Sequence, residues 1–458
     1  MLCETPSLSR RRLLGSAGAL FAWAHMPRLA SAAGTSDRRF VTIILRGGLD
    51  GLSAVPPIGE PGYAGLRGAI ALERAGEHPV LPLLRSQDDR RALQRFQDDR
   101  RRGTARRSER SLLGQVSTER PQSDEVSGHP RSDADPFFAL HPSLPNLARL
   151  YRAGDAAILH AVSSPYRNRS HFAGQDVLES GYPAPGTVHS GWLNRLVAEL
   201  PPGEPISDRG TLGVGPVTPL IARGPAPVLG WNPVRMPEAD DDTAARLLRL
   251  YDRQDQRLHA ALAAGLETHR IAGSAGDGLN AGGGPGTPQG MVAAATGAAR
   301  LLAKDDGPRV AALGFNGWDT HANEGGADGR LARILTGFDD ALAAFEAELG
   351  PVWQDTVILV ITEFGRTVEI NGSLGTDHGI ATTAFLTGGA VNGGRLITDW
   401  PGLRPADLYE GRDLTPTTDL RSVIKGLALE LFDASPTALA ESVFPQSAEA
   451  APLLGLVS

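Results

Sequence analysis

The stretch VILVITEFGRTVEINGSLGTDHG, residues 357–379, passes from an unbroken apolar run straight into Glu363, then Arg366, then Asp377 and His378. Apolar residues without alternation, in a run too short for a core helix, predict a strand over 356–362 that is covered on both faces. Strands of that kind belong to mostly parallel sheets, which carry their sites at the C-terminal strand ends. Glu363 stands at such an end. The glycine-containing excursion 371–375 can fold back and bring His378 towards it, and a second short strand follows in TTAFLTGG.

The same pattern recurs upstream. In RRFVTIILRGGLDGLSAVPP an apolar strand over 41–45 meets glycines and then Asp50. A strand over 156–161 runs into SSPYRNRSHF, and one over 310–315 runs into GWDTHANEGG. Helices are predicted over 144–153, from Ser170 onward, over 243–271, over 291–304 and over 330–349. In the last of these, Leu331, Ile334, Leu335, Phe338, Leu342, Phe345 and Leu349 recur at three- and four-residue steps, a stripe that reads as core packing. Strand, polar loop, helix and strand again is the rhythm of a three-layer α/β fold, a mostly parallel central sheet with helices on both faces.

Reactive side chains cluster in four of the post-strand loops, which is what lifts them above chance. Asp50 is a candidate ligand, although an acid in a glycine-rich turn also serves as a helix N-cap. Ser170 directly precedes a helix, where a hydroxyl is either a nucleophile aimed by the helix dipole or a plain N-cap. Arg167 and Arg169 make that loop cationic and suit it to phosphate or sulfate. Asp319 and His321, two apart on an extended segment, can face one side and grip one ion; the competing reading is an Asp turn with a solvated histidine. Glu363, Asp377 and His378 complete the set, with Arg366 placed to pair with Glu363. Several acids around one buried centre imply raised carboxyl pKa values or a cation that satisfies them.

The N-terminus reads differently. SLSRRRLLGSAGALFAWAHMPRLASAAG combines Arg10, Arg11 and Arg12, a short apolar run and a small-residue ending, the pattern of a twin-arginine signal peptide over 1–33. Its apolar run falls well short of the roughly 20 residues a spanning helix needs, so no stable membrane anchor is expected. The leader's net of +3, set against −7 for the whole chain, leaves the remainder near −10, which favours no nucleic-acid partner. The only cysteine, Cys3, lies in the leader, so a metal would sit on His, Asp, Glu or hydroxyl oxygens. Residues 85–135, with twelve arginines interleaved with acids, read as a disordered insertion, and 273–290 as a flexible glycine-rich linker in an otherwise single domain over 38–458.

Taken together, the leader, LRGGLDGLSAVPP, LHPSLPNL, SPYRNRSHFAGQDVLESG, GWLNR, GWDTHANE, TEFGRTVEINGSLGTDHG and GGRLITDWPGL resemble the secreted family catalogued as domain of unknown function 1501. That family is grouped with the alkaline phosphatases and sulfatases, and the resemblance implies their fold and metal-dependent cleavage of phosphate or sulfate esters. It implies a divalent ion, zinc, calcium or magnesium, on Asp50, Asp319, His321, Glu363 and His378, with Asp377 as a supporting partner. The nucleophile would be Ser163, from the likeness of SSPYR to the sulfatase loop, or Ser170, or a bound hydroxide, with Arg167 or Arg366 offsetting charge. The expected setting is periplasmic or secreted after twin-arginine export, with a small-molecule or polymer ester as substrate. The alternative from another class is a catalytically silent binding or assembly protein that keeps the fold and part of the metal site.

Overall fold

The computed structural model describes residues 37–83, 137–186, 188–201, 210–233, 241–259, a few positions between 262 and 279, and 284–458. The predicted leader and the arginine-rich insertion lie outside the described residues, as does most of the predicted linker up to 283.

β1 (Arg39–Arg46) leads through a glycine turn to the short helices α1 (Gly51–Ala54) and α2 (Tyr63–Arg67). The ribbon of β2 (Leu81–Pro82) and β3 (Ala139–Leu140) precedes α3 (Pro145–Ala153) and β4 (Ala156–Ser163), then α4 (His171–Ser180) and α5 (Trp192–Glu199). The Pro- and Gly-rich middle contributes β5 (Thr211–Val214), β6 (Val228–Trp231) and α6 (Asp241–Gln254). There follow α7 (Pro288–Leu302), β7 (Val310–Asn316), α8 (Arg330–Leu349) and β8 (Thr356–Ile361). Last come β9 (Thr382–Thr387), β10 (Arg395–Ile397), β11 (Thr418–Asp419) and α9 (Leu420–Phe432). The end of the predicted linker is helical instead, because Thr287 caps α7 by accepting the Gly290 amide and Pro288 suits the first turn.

The main sheet runs β10-β4-β9-β8-β1-β7-β5-β6, with β11 beside the end of β4. All pairings are parallel except those of β9, which runs against both β4 and β8. The two faces are read directly from the central strands. Val41, Ile43 and Leu45 of β1 join Ile358 and Val360 of β8 in one core with Leu147, Met291, Leu335 and Phe338 of α3, α7 and α8. Phe40, Ile44, Val357, Leu359 and Ile361 point the other way, into a core with Trp192 of α5 and Val423 and Leu427 of α9. Alternate residues therefore enter opposite cores, which is why these strands are apolar throughout. Truncating a fully buried Phe338 or Phe345 to alanine would cost about 3–5 kcal/mol.

This topology sets the site. The C-terminal ends of β1, β4, β7 and β8 lie on one rim, and β9, running the other way, begins on that same rim. His378 arrives there four residues before β9 starts. Among the described residues no helix is long and apolar enough to cross a membrane.

Candidate metal centre

His171, the first residue of α4, directs Nδ1 at Glu363 Oε1, 3.0 Å away. The same Glu363 oxygen accepts the Gly47 amide at 2.9 Å and Gln175 Nε2 at 3.0 Å. Burial would push the Glu363 carboxyl up, but the bonds from His171, Gln175 and Gly47 offset it and hold the group below its usual range, as a carboxylate. His321 directs Nδ1 at Asp377 Oδ1, 3.1 Å away, and His378 directs Nδ1 at the Arg169 carbonyl, 2.9 Å away. Carboxylates and carbonyls only accept, so each Nδ1 carries the proton and each Nε2 is left with a lone pair; the tautomers are assigned from these partners.

All three Nε2 atoms converge on Asp319. His321 Nε2 is 3.1 Å and His378 Nε2 3.2 Å from Asp319 Oδ1, and the two nitrogens stand 2.9 Å apart. His171 Nε2 approaches the other oxygen, Oδ2, at 3.4 Å and has no hydrogen-bond partner although the atom is buried. One donor atom from each of His171, Asp319 and His378 falls within 4.8 Å of the others. Two lone pairs facing at 2.9 Å repel unless a cation or a proton lies between them. Bonds of 2.0–2.1 Å in a tetrahedral zinc site put neighbouring donors roughly 3.3 Å apart. The distances from Asp319 to the three histidines and between His321 and His378 lie around that value, while His321 stands outside the mutually close group of His171, Asp319 and His378. The cluster is half exposed, with Asp319 41% and His321 43% accessible, so it is open to a ligand.

The surroundings hold these groups in place. Phe364, buried, packs against the rings of His171 and His378 at 5.0 and 4.9 Å. Arg366 does not pair with Glu363; its guanidinium donates to Asp319 Oδ1 at 2.8 Å and to the Thr376 carbonyl at 2.7 Å. Chain proximity favoured Glu363, but that carboxylate faces His171 and Gly47. Burial would raise the Asp319 carboxyl, and Arg366 more than offsets it, keeping Asp319 ionised. Burial lowers His378, whereas the hydrogen bond to Glu363 raises His171, so protons and a cation compete for the His171 nitrogen. Gly47 is required for the loops to meet: it has φ +127°, and a Cβ there would lie 2.4 Å from the Asp319 amide nitrogen. Four non-glycine residues around the rim, Arg169, Asn323, Leu374 and Glu410, hold φ between 46° and 57°. Such strain persists where surrounding contacts impose it and is frequent at functional sites.

The other candidates are placed as follows. Asp50 does not join the cluster: one oxygen accepts the Leu52 and Ser53 amides, capping α1, and the other pairs with buried Arg67. Glu363, expected as a ligand, instead positions His171. Asp377 supports His321. Ser163 is buried at the end of β4, aligned with Asp419 of β11. Ser170 is exposed at the N-cap of α4, and its side chain makes no capping bond. Arg167 donates to the Ser164 and Tyr166 carbonyls. His171 was not singled out in the sequence; its signal is its place after the buried strand β4, as Asp319 and His321 follow β7 and His378 follows β8, although His171 alone stands at the head of a helix.

An α/β scaffold with a His₃Asp cluster at the C-terminal rim of its sheet defines the class. The family described as "Protein of unknown function (DUF1501)" matches residues 37–436, and the chain belongs to that family. No curated protein matches the chain. Among solved structures it is similar to a phosphonate monoester hydrolase of Agrobacterium radiobacter, at 13% identity over 66% of this chain and 73% of that one, with a TM-score of 0.29. A TM-score that low gives no ground for transferring chemistry.

Proposed function

We propose that the protein is an exported, metal-dependent hydrolase of phosphate or sulfate esters. The observation that carries this reading is the convergence of three imidazole Nε2 lone pairs on Asp319, each with its Nδ1 occupied by an acceptor. This is how histidines are oriented when a carboxylate or carbonyl stands behind a metal ligand. Three nitrogens and one oxygen suit zinc better than calcium or magnesium, which prefer all-oxygen shells.

When bound, the ion would supply Lewis acidity to an ester oxygen. Ser170 is the nucleophile best placed to serve it: exposed, not engaged in capping, and adjacent in the chain to His171. Its Oγ would give its proton to solvent and form a bond to phosphorus or sulfur as the bond to the ester oxygen breaks, and the leaving alkoxide would carry off the bonding electrons and take up a proton from solvent. Water would then release phosphate or sulfate and restore the hydroxyl. The free amides at the head of α4 favour an anionic group at that position. Arg167 would offset charge on the ester; Arg366 acts through Asp319.

A screen of aryl phosphate, phosphonate and sulfate esters with zinc-loaded protein tests this. Turnover that Ser170→Ala lowers by roughly 10²-fold or more, with Ser163→Ala unchanged, is expected for an activated nucleophile. Metal binding without turnover on any of these esters would contradict the hydrolase reading and leave a cation-binding protein.

A further inference from the structure

Beneath the donor cluster lies a second, fully buried set of charges: Asp50, Arg67 and Glu324, each at most 1% exposed. Glu324 Oε2 accepts two hydroxyl hydrogens, from Thr320 at 3.0 Å and Thr376 at 2.7 Å. Thr320 lies between the ligands Asp319 and His321, and Thr376 precedes Asp377 and His378. One oxygen therefore ties together the two loops that bring in those ligands.

A directional chain follows. The Thr376 hydroxyl has one hydrogen, given to Glu324, so towards Arg366 Nε, 3.2 Å away, it can only accept. That bond orients the guanidinium that donates to Asp319 Oδ1 at 2.8 Å. On its other side, Glu324 Oε1 lies 3.3 Å from Ser53 Oγ, which in turn lies 3.2 Å from Asp50 Oδ2. Ser53 has a single hydroxyl hydrogen and cannot donate to both carboxyls. Arg67 donates to Ser53 Oγ at 2.8 Å and pairs with Asp50. Asp50 also accepts two amides and is the ionised carboxyl, the better acceptor for the single Ser53 hydrogen; a hydrogen on Glu324 Oε1 then satisfies the remaining contact to Ser53 Oγ. Two buried carboxyls sharing one guanidinium reach neutrality in the same way. Burial and the neighbouring Asp50 push the Glu324 carboxyl up to about 8, in agreement with this count.

We propose that Glu324 is a positioning residue, a neutral carboxylic acid that orients Arg366 and, through it, the metal ligand Asp319. The proposal rests on the metal reading above. The test compares zinc affinity, by chelator competition on chelator-stripped full-length protein, across three variants. Glu324→Gln keeps an acceptor for both threonines and a donor for Ser53, so its affinity stays within about threefold of wild type. Glu324→Leu loses both and binds about 10–100-fold more weakly, the range seen when groups behind a metal ligand are removed. Thr376→Val, which deletes only the relay hydroxyl, loses affinity in the same direction and serves if the leucine variant does not fold. Wild-type affinity in the leucine or valine variant, or a glutamine variant as weak as leucine, overturns the proposal. A protonated-carboxyl infrared band at neutral pH, present in wild type and gone in Glu324→Gln, is expected independently of metal; its absence also overturns it. Wild-type protein that takes up no zinc sinks the metal reading, a failure distinct from either of these.

Discussion

The half-exposed His171–Asp319–His321–His378 cluster and the buried Asp50–Arg67–Glu324 cluster share one rim of one sheet and both draw on the loop after β7, yet they are opposite in kind. In the buried cluster a guanidinium is built in between the carboxyls. In the exposed one, lone pairs face each other at 2.9 Å with no group of the protein between them. An acid after a buried strand therefore does not identify a ligand by itself: both acids meet an arginine, but Asp50 is closed in with Arg67, whereas Asp319, paired with Arg366, also faces the histidine nitrogens and solvent. Asp50 and Asp319 occupy equivalent places in the sequence pattern, and only Asp319 remains open to solvent.

That contrast can be broken from either side. The largest effect is expected from Arg67→Met, which strands a buried carboxylate and should cost about 3–5 kcal/mol in chemical denaturation while the folded fraction still takes up zinc. Next, His378→Ala should weaken zinc binding by about 100-fold or more with little change in unfolding free energy of the metal-free protein, since the ring is partly exposed and has an unfavourable neighbour. If Arg67→Met abolished zinc uptake in folded protein, or His378→Ala left it intact, the division into closed and open clusters would fail.

A smaller effect concerns pH. Glu324 has its carboxyl raised from an ordinary 4.5 to about 8 in the folded chain. Between these values the folded state keeps a proton that the unfolded state has released, so the contribution is full below about 4.5 and is lost as pH rises to about 8. Wild type should therefore lose stability relative to Glu324→Gln across that window, by at most about 1.4 kcal/mol per pH unit. A difference that is flat with pH would mean Glu324 is ionised throughout. The smallest expected effect is from Ser163→Ala, within about 1 kcal/mol in stability and without change in turnover, because Ser163 is buried at the end of β4 beside Asp419, whereas Ser170 is exposed.

Much of this was legible in the chain. The apolar stripe of α8 delimits Arg330–Leu349 with no error, and the central strands β1 and β8 announce themselves by unbroken burial. The direction of β9 was not legible, since apolar pattern does not encode whether a strand runs with or against its neighbours. β5 and β6, only four residues each in a Pro- and Gly-rich region, were hidden by their length. In the site, Asp319, His321 and His378 could be named from loop position, whereas Arg366 meets Asp319 across 47 residues of chain, a pairing that no local spacing reveals.

The central claim is that the exposed cluster is a metal site. Its most direct test is elemental analysis of protein purified without metal-affinity resin, alongside His378→Ala and with thermal unfolding before and after chelation. About one divalent ion per chain is expected, absent from the variant, and its removal should lower the unfolding temperature of wild type alone. Substoichiometric metal in wild type, with no change in unfolding after chelation, would contradict it.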